Sequence, residues 1–310
     1  MHTVLAGGVG AARYLRGALE AFDPATVTAI VNVGDDVTLH GLRVCPDLDT
    51  CTYTLAGAID PDRGWGLVDE SWQAMAELGR YGGENWFSLG DRDLGTHLYR
   101  TDRLAEGATL TEVTAEITAA WDLRCRLLPV TDDPVETRVT LVEGGEIGFQ
   151  EYFVGRQHDV AVSAVRFVGA EAATPTAATL AAIDEADTLV IAPSNPIVSI
   201  GPVLAIPGVR ERVQARRDRN VAVSPIIGGK ALKGPADRML RELGEESTVV
   251  GVARRYRDLA ATLVVDDVDA HLVPEIEDAG MRAIAMPTIM SEPGIAAALA
   301  RACHAAGGPR

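Results

Sequence analysis

Short runs of β-branched and aliphatic residues alternate along the chain with longer Ala-, Leu- and Arg-rich segments whose apolar positions recur at helical spacing. Residues 3–6, 27–33, 137–142, 160–168, 188–192, 220–224, 248–252, 262–265 and 283–286 read as strands. Several are apolar on both faces, as expected of central parallel strands covered by helices. Helical spacing marks 11–21, 177–186, 235–243 and 295–306. This alternation predicts a Rossmann-like α/β fold: a mostly parallel, doubly wound sheet in one domain over 1–310. The window from 65 to 121 differs, holding all four tryptophans (Trp65, Trp72, Trp86, Trp121) at mostly helical period. It predicts a helical insertion over about 65–125 that caps the crevice. Segments 137–142 and 148–153, split by Glu143-Gly144-Gly145-Glu146, read as a β-hairpin, and 307–310 as a loose tail.

Composition narrows the class. A chain of 310 residues that is 47% hydrophobic carries a full core, which excludes a disordered or fibrous protein. With 28 basic against 44 acidic side chains the net charge is −16, which argues against nucleic acid or an anionic membrane as the main partner. No apolar stretch approaches the ~18–20 residues of a membrane span. The start Met1-His2-Thr3 runs straight into a strand, without the basic and small-residue marks of a leader. The expectation is a cytoplasmic protein. Cys45, Cys51, Cys125 and Cys303 are scattered, with no metal-binding spacing, and read as reduced thiols. Only two basic residues are lysines, Lys230 and Lys233, and they share one Gly-rich stretch.

Candidate chemistry gathers at strand ends. Leu5-Ala6-Gly7-Gly8-Val9-Gly10-Ala11-Ala12-Arg13 joins the first strand to the first helix, where backbone N–H groups can meet a phosphate. It is neither a Walker loop nor a full dinucleotide fingerprint, because Arg13 stands where the third glycine belongs. Asp35, Asp36, Asp47 and Asp49 follow the second strand, a carboxylate set suited to a hard cation such as Mg²⁺ or to accepting a proton. Ser88-Leu89-Gly90-Asp91-Arg92-Asp93-Leu94-Gly95-Thr96-His97 offers either a local ion-pair cluster or an anion clamp centred on Arg92. Pro193-Ser194-Asn195-Pro196 follows a buried strand with small polar side chains, and residues 224–235 look like a second anion cradle holding both lysines. Together these signals describe a crevice for phosphoryl-type transfer on a nucleoside diphosphate.

At these residues the chain resembles the 2-phospho-lactate transferases of deazaflavin coenzyme F(420) biosynthesis, CofD in archaea and FbiA in actinobacteria. The matching stretches are the glycine turn through Arg13, residues 31–36, His40-Gly41-Leu42-Arg43-Val44-Cys45-Pro46-Asp47-Leu48-Asp49-Thr50, Arg63-Gly64-Trp65-Gly66, and residues 89–97, 193–201 and 224–234. The motifs around residues 46–50 and 193–201 look most like the actinobacterial branch. Ala11 departs from an expected glycine but keeps a small side chain there.

The resemblance implies a homodimer that moves a phosphoenolpyruvyl or 2-phospho-L-lactyl group from a guanosine-diphosphate-activated donor onto Fo. Fo is 7,8-didemethyl-8-hydroxy-5-deazariboflavin, its terminal ribityl hydroxyl is the acceptor, GMP leaves, and Mg²⁺ is the cofactor. Carried over by position, Asp47 and Asp49 would bind Mg²⁺ and contact Fo, with Asp35 or Asp36 in support. Gly7, Gly8 and Gly10 would hold diphosphate, Arg92 would clamp Fo or the donor's carboxylate, Ser194 and Asn195 would contact guanosine, and Lys230 and Lys233 the phosphates. Two other classes stay open on the residues: an NAD(P)-dependent oxidoreductase and a GDP-binding regulatory protein without catalysis.

Overall fold

The computed structural model describes residues 1–308. In chain order the strands are β1 (His2–Ala6), β2 (Val27–Val31), β3 (Val37–Leu39), β4 (Leu42–Val44), β5 (Arg126–Pro129), β6 (Glu136–Leu141), β7 (Glu146–Gly148), β8 (Val162–Val168), β9 (Thr188–Ile191), β10 (Asn220–Val223), β11 (Ile226–Ile227), β12 (Lys230–Ala231), β13 (Thr262–Val265) and β14 (Arg282–Ala285). The helices are α1 (Gly8–Ala21), α2 (Pro46–Leu55), α3 (Gln73–Arg80), α4 (Asp93–Ala105), α5 (Leu110–Ala120), α6 (Ala177–Asp184), α7 (Gly201–Ala205), α8 (Val209–Ala215), α9 (Ala236–Glu242), α10 (Val249–Tyr256), α11 (Val273–Asp278) and α12 (Ile295–Gly307).

Seven strands form one parallel sheet in the order β14-β13-β10-β9-β1-β2-β5. Leu5 of β1 pairs with Ile30 of β2 on one side and Ile191 of β9 on the other. The chain therefore steps outward from β1 through β2 to β5, then returns to the far side of β1 and continues from β9 to β14. The reversal lies between β1 and β9, and the loops leaving their carboxyl ends open the crevice where sheets of this kind hold ligands. Both faces are covered. β1, β2, β9, β10 and β13 are buried along their whole length, which is why their residues run apolar without alternation. Helix α12 packs on β9, β10, β13 and α1, while α6 packs on β2 and β5. Gly17 makes the α1–α12 approach possible, since a Cβ there would lie 2.3 Å from the Ala296 carbonyl carbon.

Three short antiparallel sheets stand apart: β3–β4, β11–β12, and β7-β6-β8. Four expectations change. Residues 248–252 begin helix α10 rather than a strand: Thr248 caps it by accepting from Gly251 N at 3.1 Å. In the expected hairpin only Glu146–Gly148 pairs with β6, and the chain then coils into one π-helical turn at Glu151–Gly155. Strand β5, absent from the sequence reading, forms the sheet edge and ends at Pro129, which an edge position tolerates. Gly307 closes α12 instead of fraying, while Pro309 and Arg310 of the expected tail lie outside the described residues. No described helix is long and apolar enough to cross a membrane.

Candidate active site

Chain geometry at the β1–β9 reversal brings three loops onto the first turn of α2. Gly8 has φ +70, a backbone conformation that favours glycine, and its N–H donates to Asp47 Oδ1 at 2.8 Å. Asn32, at the end of β2, donates from Nδ2 to Asp47 Oδ2 at 2.9 Å and accepts from Gly34 N at 2.8 Å. From the β9 side, Ser194 Oγ donates to the Gly7 carbonyl at 2.8 Å. A Cβ on Gly7 would lie 2.8 Å from Ser199 Cβ, and one on Gly10 only 2.1 Å from the Pro193 carbonyl oxygen. Gly7 and Gly10 thus serve close packing of the two loops, and the Gly8 amide serves a carboxylate. Asn195 builds its own loop: its Oδ1 accepts from Ile197 N at 2.9 Å.

The four aspartates, expected as one cation set, divide in two. Positions two apart on a helix lie about 200° around its axis, so Asp47 and Asp49 face opposite ways. Asp49 is gripped by both terminal nitrogens of Arg100, a guanidinium only 2% exposed, with Nη1 3.2 Å from Oδ2. Asp36 accepts from Arg43 Nη2 at 3.0 Å and from the Cys45 thiol at 3.1 Å. Burial nonetheless lifts its pKa to about 6. Both carboxylates therefore pair with guanidinium groups.

The Asp35–Asp47 pair has no such partner. Both are buried, and Asp35 Oδ1 has no hydrogen-bond partner among the described residues. Burial first, then the Asp47 charge, pushes the Asp35 carboxyl well above the usual carboxylate range. Burial lifts Asp47 to about 6, against the pull of its hydrogen bonds from Asn32 and Gly8. Two buried carboxylates close enough to feel one another's charge repel, and carboxylate oxygens are the donors a hard divalent ion selects.

Behind Asp49 lies a network in which Asp93 and His97 of the 88–97 stretch join Arg100 and Tyr53, two residues the sequence reading did not single out. Arg100 Nη1 is 3.3 Å from His97 Nδ1 and donates to the Arg43 carbonyl at 3.3 Å. His97 Nε2 lies 3.4 Å from Asp93, to which Tyr53 donates its hydroxyl at 2.6 Å. Asp49, Asp93 and His97 each offer an atom within 4.8 Å of the others, the spacing of a metal trio. The guanidinium on Asp49 already supplies the positive charge there.

The stretch expected to form a clamp is mostly a capping device. Asp91 accepts from Gln73 N at 2.9 Å and Ala74 N at 3.0 Å, capping α3, and Glu70 accepts from Arg92 N and Asp93 N at the start of α4. The Arg92 side chain is exposed and donates to the Val68 carbonyl.

The expected second cradle is a tight hairpin. Gly228 (φ +56) and Gly229 (φ +77) form the two-residue turn between β11 and β12, the geometry of a type I′ turn, and Gly228 N donates to Asp269 Oδ2 at 2.9 Å. Lys230 and Lys233 are exposed beyond it, and Lys233 Nζ lies 2.8 Å from where a Cβ of Gly64 would stand. The loop after α2 and the loop after β10 thus touch, linking the two flanks of the β1–β9 reversal.

A doubly wound sheet with a glycine turn and buried carboxylates at its reversal defines an α/β protein whose candidate site lies where open sheets of this kind hold ligands. Residues 3–294 match the family model described as 2-phospho-L-lactate transferase CofD, and the chain belongs to that family of transferases. It is similar to a protein named phosphoenolpyruvate transferase from Streptomyces griseus, 48% identical over 96% of this chain and 95% of that one. A protein of the same name from Mycobacterium avium is 46% identical over 97% and 96%. Among solved structures, a UPF0052 family member from Bacillus halodurans superposes with a TM-score of 0.64 at 18% identity, covering 97% of each chain, and shares the fold.

Proposed function

We propose that the protein transfers a phosphoenolpyruvyl group from a guanosine-diphosphate-activated donor to the terminal ribityl hydroxyl of Fo, releasing GMP and forming dehydro coenzyme F(420)-0. The similarity to proteins named phosphoenolpyruvate transferase favours this donor over its 2-phospho-L-lactyl analogue. The observation that carries the reading is the uncompensated Asp35–Asp47 pair set against the glycine turn. Mg²⁺ fits there: the orphaned Asp35 Oδ1 and the Asp47 carboxylate supply oxygen ligands and an unbalanced negative charge. When bound, the cation neutralises the donor's diphosphate.

The chain's own groups orient and enclose. Asn32 and Gly8 fix both oxygens of Asp47, and one aspartate of the pair would accept the proton of an attacking hydroxyl. Arg100 acts through Asp49 to hold α2, placing Asp49 as a positioning residue. Ser194 and Asn195 shape the guanosine side, Lys230 and Lys233 offer exposed ammonium groups to phosphate, and the segment around 65–125 caps the crevice. A dinucleotide oxidoreductase is disfavoured on physical grounds, because a carboxylate already takes the Gly8 amide that a pyrophosphate would need.

The test is mass spectrometry of protein incubated with Fo, Mg²⁺ and either enolpyruvyl- or lactyl-diphosphoguanosine. A product of Fo plus phosphoenolpyruvyl with GMP released is expected, and Asp47→Asn should abolish it. No product from either donor, in protein that still binds GDP, overturns the reading.

A further inference from the structure

Away from the crevice, a cavity of ≈ 200 Å³ opens between α7, α8 and α10, lined by Pro196, Gly201, Leu204, Arg210, Arg255 and Tyr256 among others. No carboxylate lines it. Three of its lining side chains, Arg210, Arg255 and Tyr256, can donate hydrogen bonds. Arg210 makes no ion pair or side-chain hydrogen bond among the described residues. Tyr256 is 1% exposed, and its hydroxyl has no hydrogen-bond partner among the described residues. Arg255 pairs with Glu245 through one nitrogen, and its other terminal nitrogen has only a long 3.5 Å contact to the Pro196 carbonyl. A buried hydroxyl without a partner is costly, on the order of 1–3 kcal/mol, and native proteins rarely leave one so.

We infer that this cavity binds a small tetrahedral oxyanion, inorganic phosphate or the phosphoryl end of a metabolite, between Arg210, Arg255 and the Tyr256 hydroxyl. The volume admits a phosphate together with a few waters, each needing about 30 Å³. Donors on three side chains suit an ion with at least three acceptor oxygens better than a planar carboxylate with two. The site is separate from the catalytic crevice, since neither Asp35 nor Asp47 lines it. Its wall is nevertheless the outer side of the 193–201 loop, whose inner side holds Gly7 through Ser194.

Calorimetric titration of the full chain with inorganic phosphate across the millimolar range, at ionic strength fixed with chloride, tests the inference. Saturable binding at one site is expected, weakened at least tenfold by Arg210→Gln and several-fold by Tyr256→Phe. Both changes leave the fold intact, because Arg210 is exposed and phenylalanine keeps the ring volume. Lys233→Gln should leave the affinity unchanged. Binding that survives Arg210→Gln but falls with Lys233→Gln would place the phosphate in the crevice and overturn the inference. So would the absence of saturation, or equal affinity for acetate. A phosphorylated three-carbon acid titrated alongside separates the two sources: affinity no better than phosphate's means that the phosphoryl end alone is read.

Discussion

Asp49 decides how the acidic stretch works, and a double-mutant cycle with Arg100 tests it. Both side chains are almost fully buried, and Arg100 spans both carboxylate oxygens. Arg100→Met removes the guanidinium and leaves Asp49 as an uncompensated buried charge, so about 3–5 kcal/mol of stability is lost. For a chain of this length that corresponds to a fall in melting temperature of roughly 5–8 °C. Asp49→Asn leaves Arg100 with a weaker neutral acceptor and costs a comparable amount. The double variant Arg100→Met with Asp49→Asn buries no formal charge at either position, and should be more stable than the sum of the singles by about 2 kcal/mol or more. Urea unfolding of the four proteins, with midpoints and slopes both recorded, yields the coupling directly. Single changes whose costs simply add would refute the ion-pair reading. Residual activity supplies the second arm. A positioning role predicts that Asp49→Asn lowers kcat without moving the Mg²⁺ concentration for half-maximal rate, whereas a cation ligand would shift that concentration strongly.

Three further outcomes follow from the packing and from the buried groups. Gly10→Ala drives a methyl into the Pro193 carbonyl, 2.1 Å from its ideal position, and should cost about 1–3 kcal/mol or more in urea unfolding, whereas a small change would mean the loops part easily. Gly229→Ala, at φ +77 in the hairpin turn, should cost about 1–2 kcal/mol, checked by thermal unfolding against the wild type. His2 is buried, and burial with the nearby His304 charge lowers its pKa to about 3, so between about pH 6.5 and 3 only the unfolded chain takes up this proton. Stability due to this group is full above pH 6.5 and declines by about 1.4 kcal/mol per unit as pH falls, so wild type should lose about 2–3 kcal/mol more than His2→Gln between pH 7 and 4.5 in urea titrations.

The sheet was legible because its strands are buried on both faces, leaving unbroken apolar runs such as Val27–Val31 and Thr188–Ile191. The same rule misled at residues 248–252, where a β-branched run belongs to a helix. The signal that settles it is local: Thr248 three residues before Gly251, whose missing side chain lets the Glu246 carbonyl approach to 1.9 Å of where a Cβ would be. Arg126–Pro129 gave no strand signal, being four residues long with a charge at one end and proline at the other. In the site, the types and places of the aspartates were readable, but their partners were not. Arg100 lies 51 positions from Asp49 and reaches it only because α4 folds back on α2. Helix geometry alone separates Asp47 from Asp49, so part of that division was open to the sequence once α2 was placed.

What the structure adds is an inversion of the usual logic of a glycine turn. At such a turn the first helix commonly offers its amides and its positive dipole end to a phosphate. Here Asp47 reaches from α2 to take the Gly8 amide, and Asp35 stands beside it without a counter-ion. An anionic diphosphate approaching that end meets two carboxylates before it meets a free N–H. On the proposed function, a divalent cation at that pair would be the condition for diphosphate binding there. The overall charge of −16 makes the same demand over a longer range, since the whole surface repels a polyanionic donor unless local cations receive it. Lys230 stands on the hairpin after β10 and Lys233 just past it, against the loop from the opposite flank. On the proposed function, these exposed ammonium groups would receive a phosphate before it reaches the buried pair.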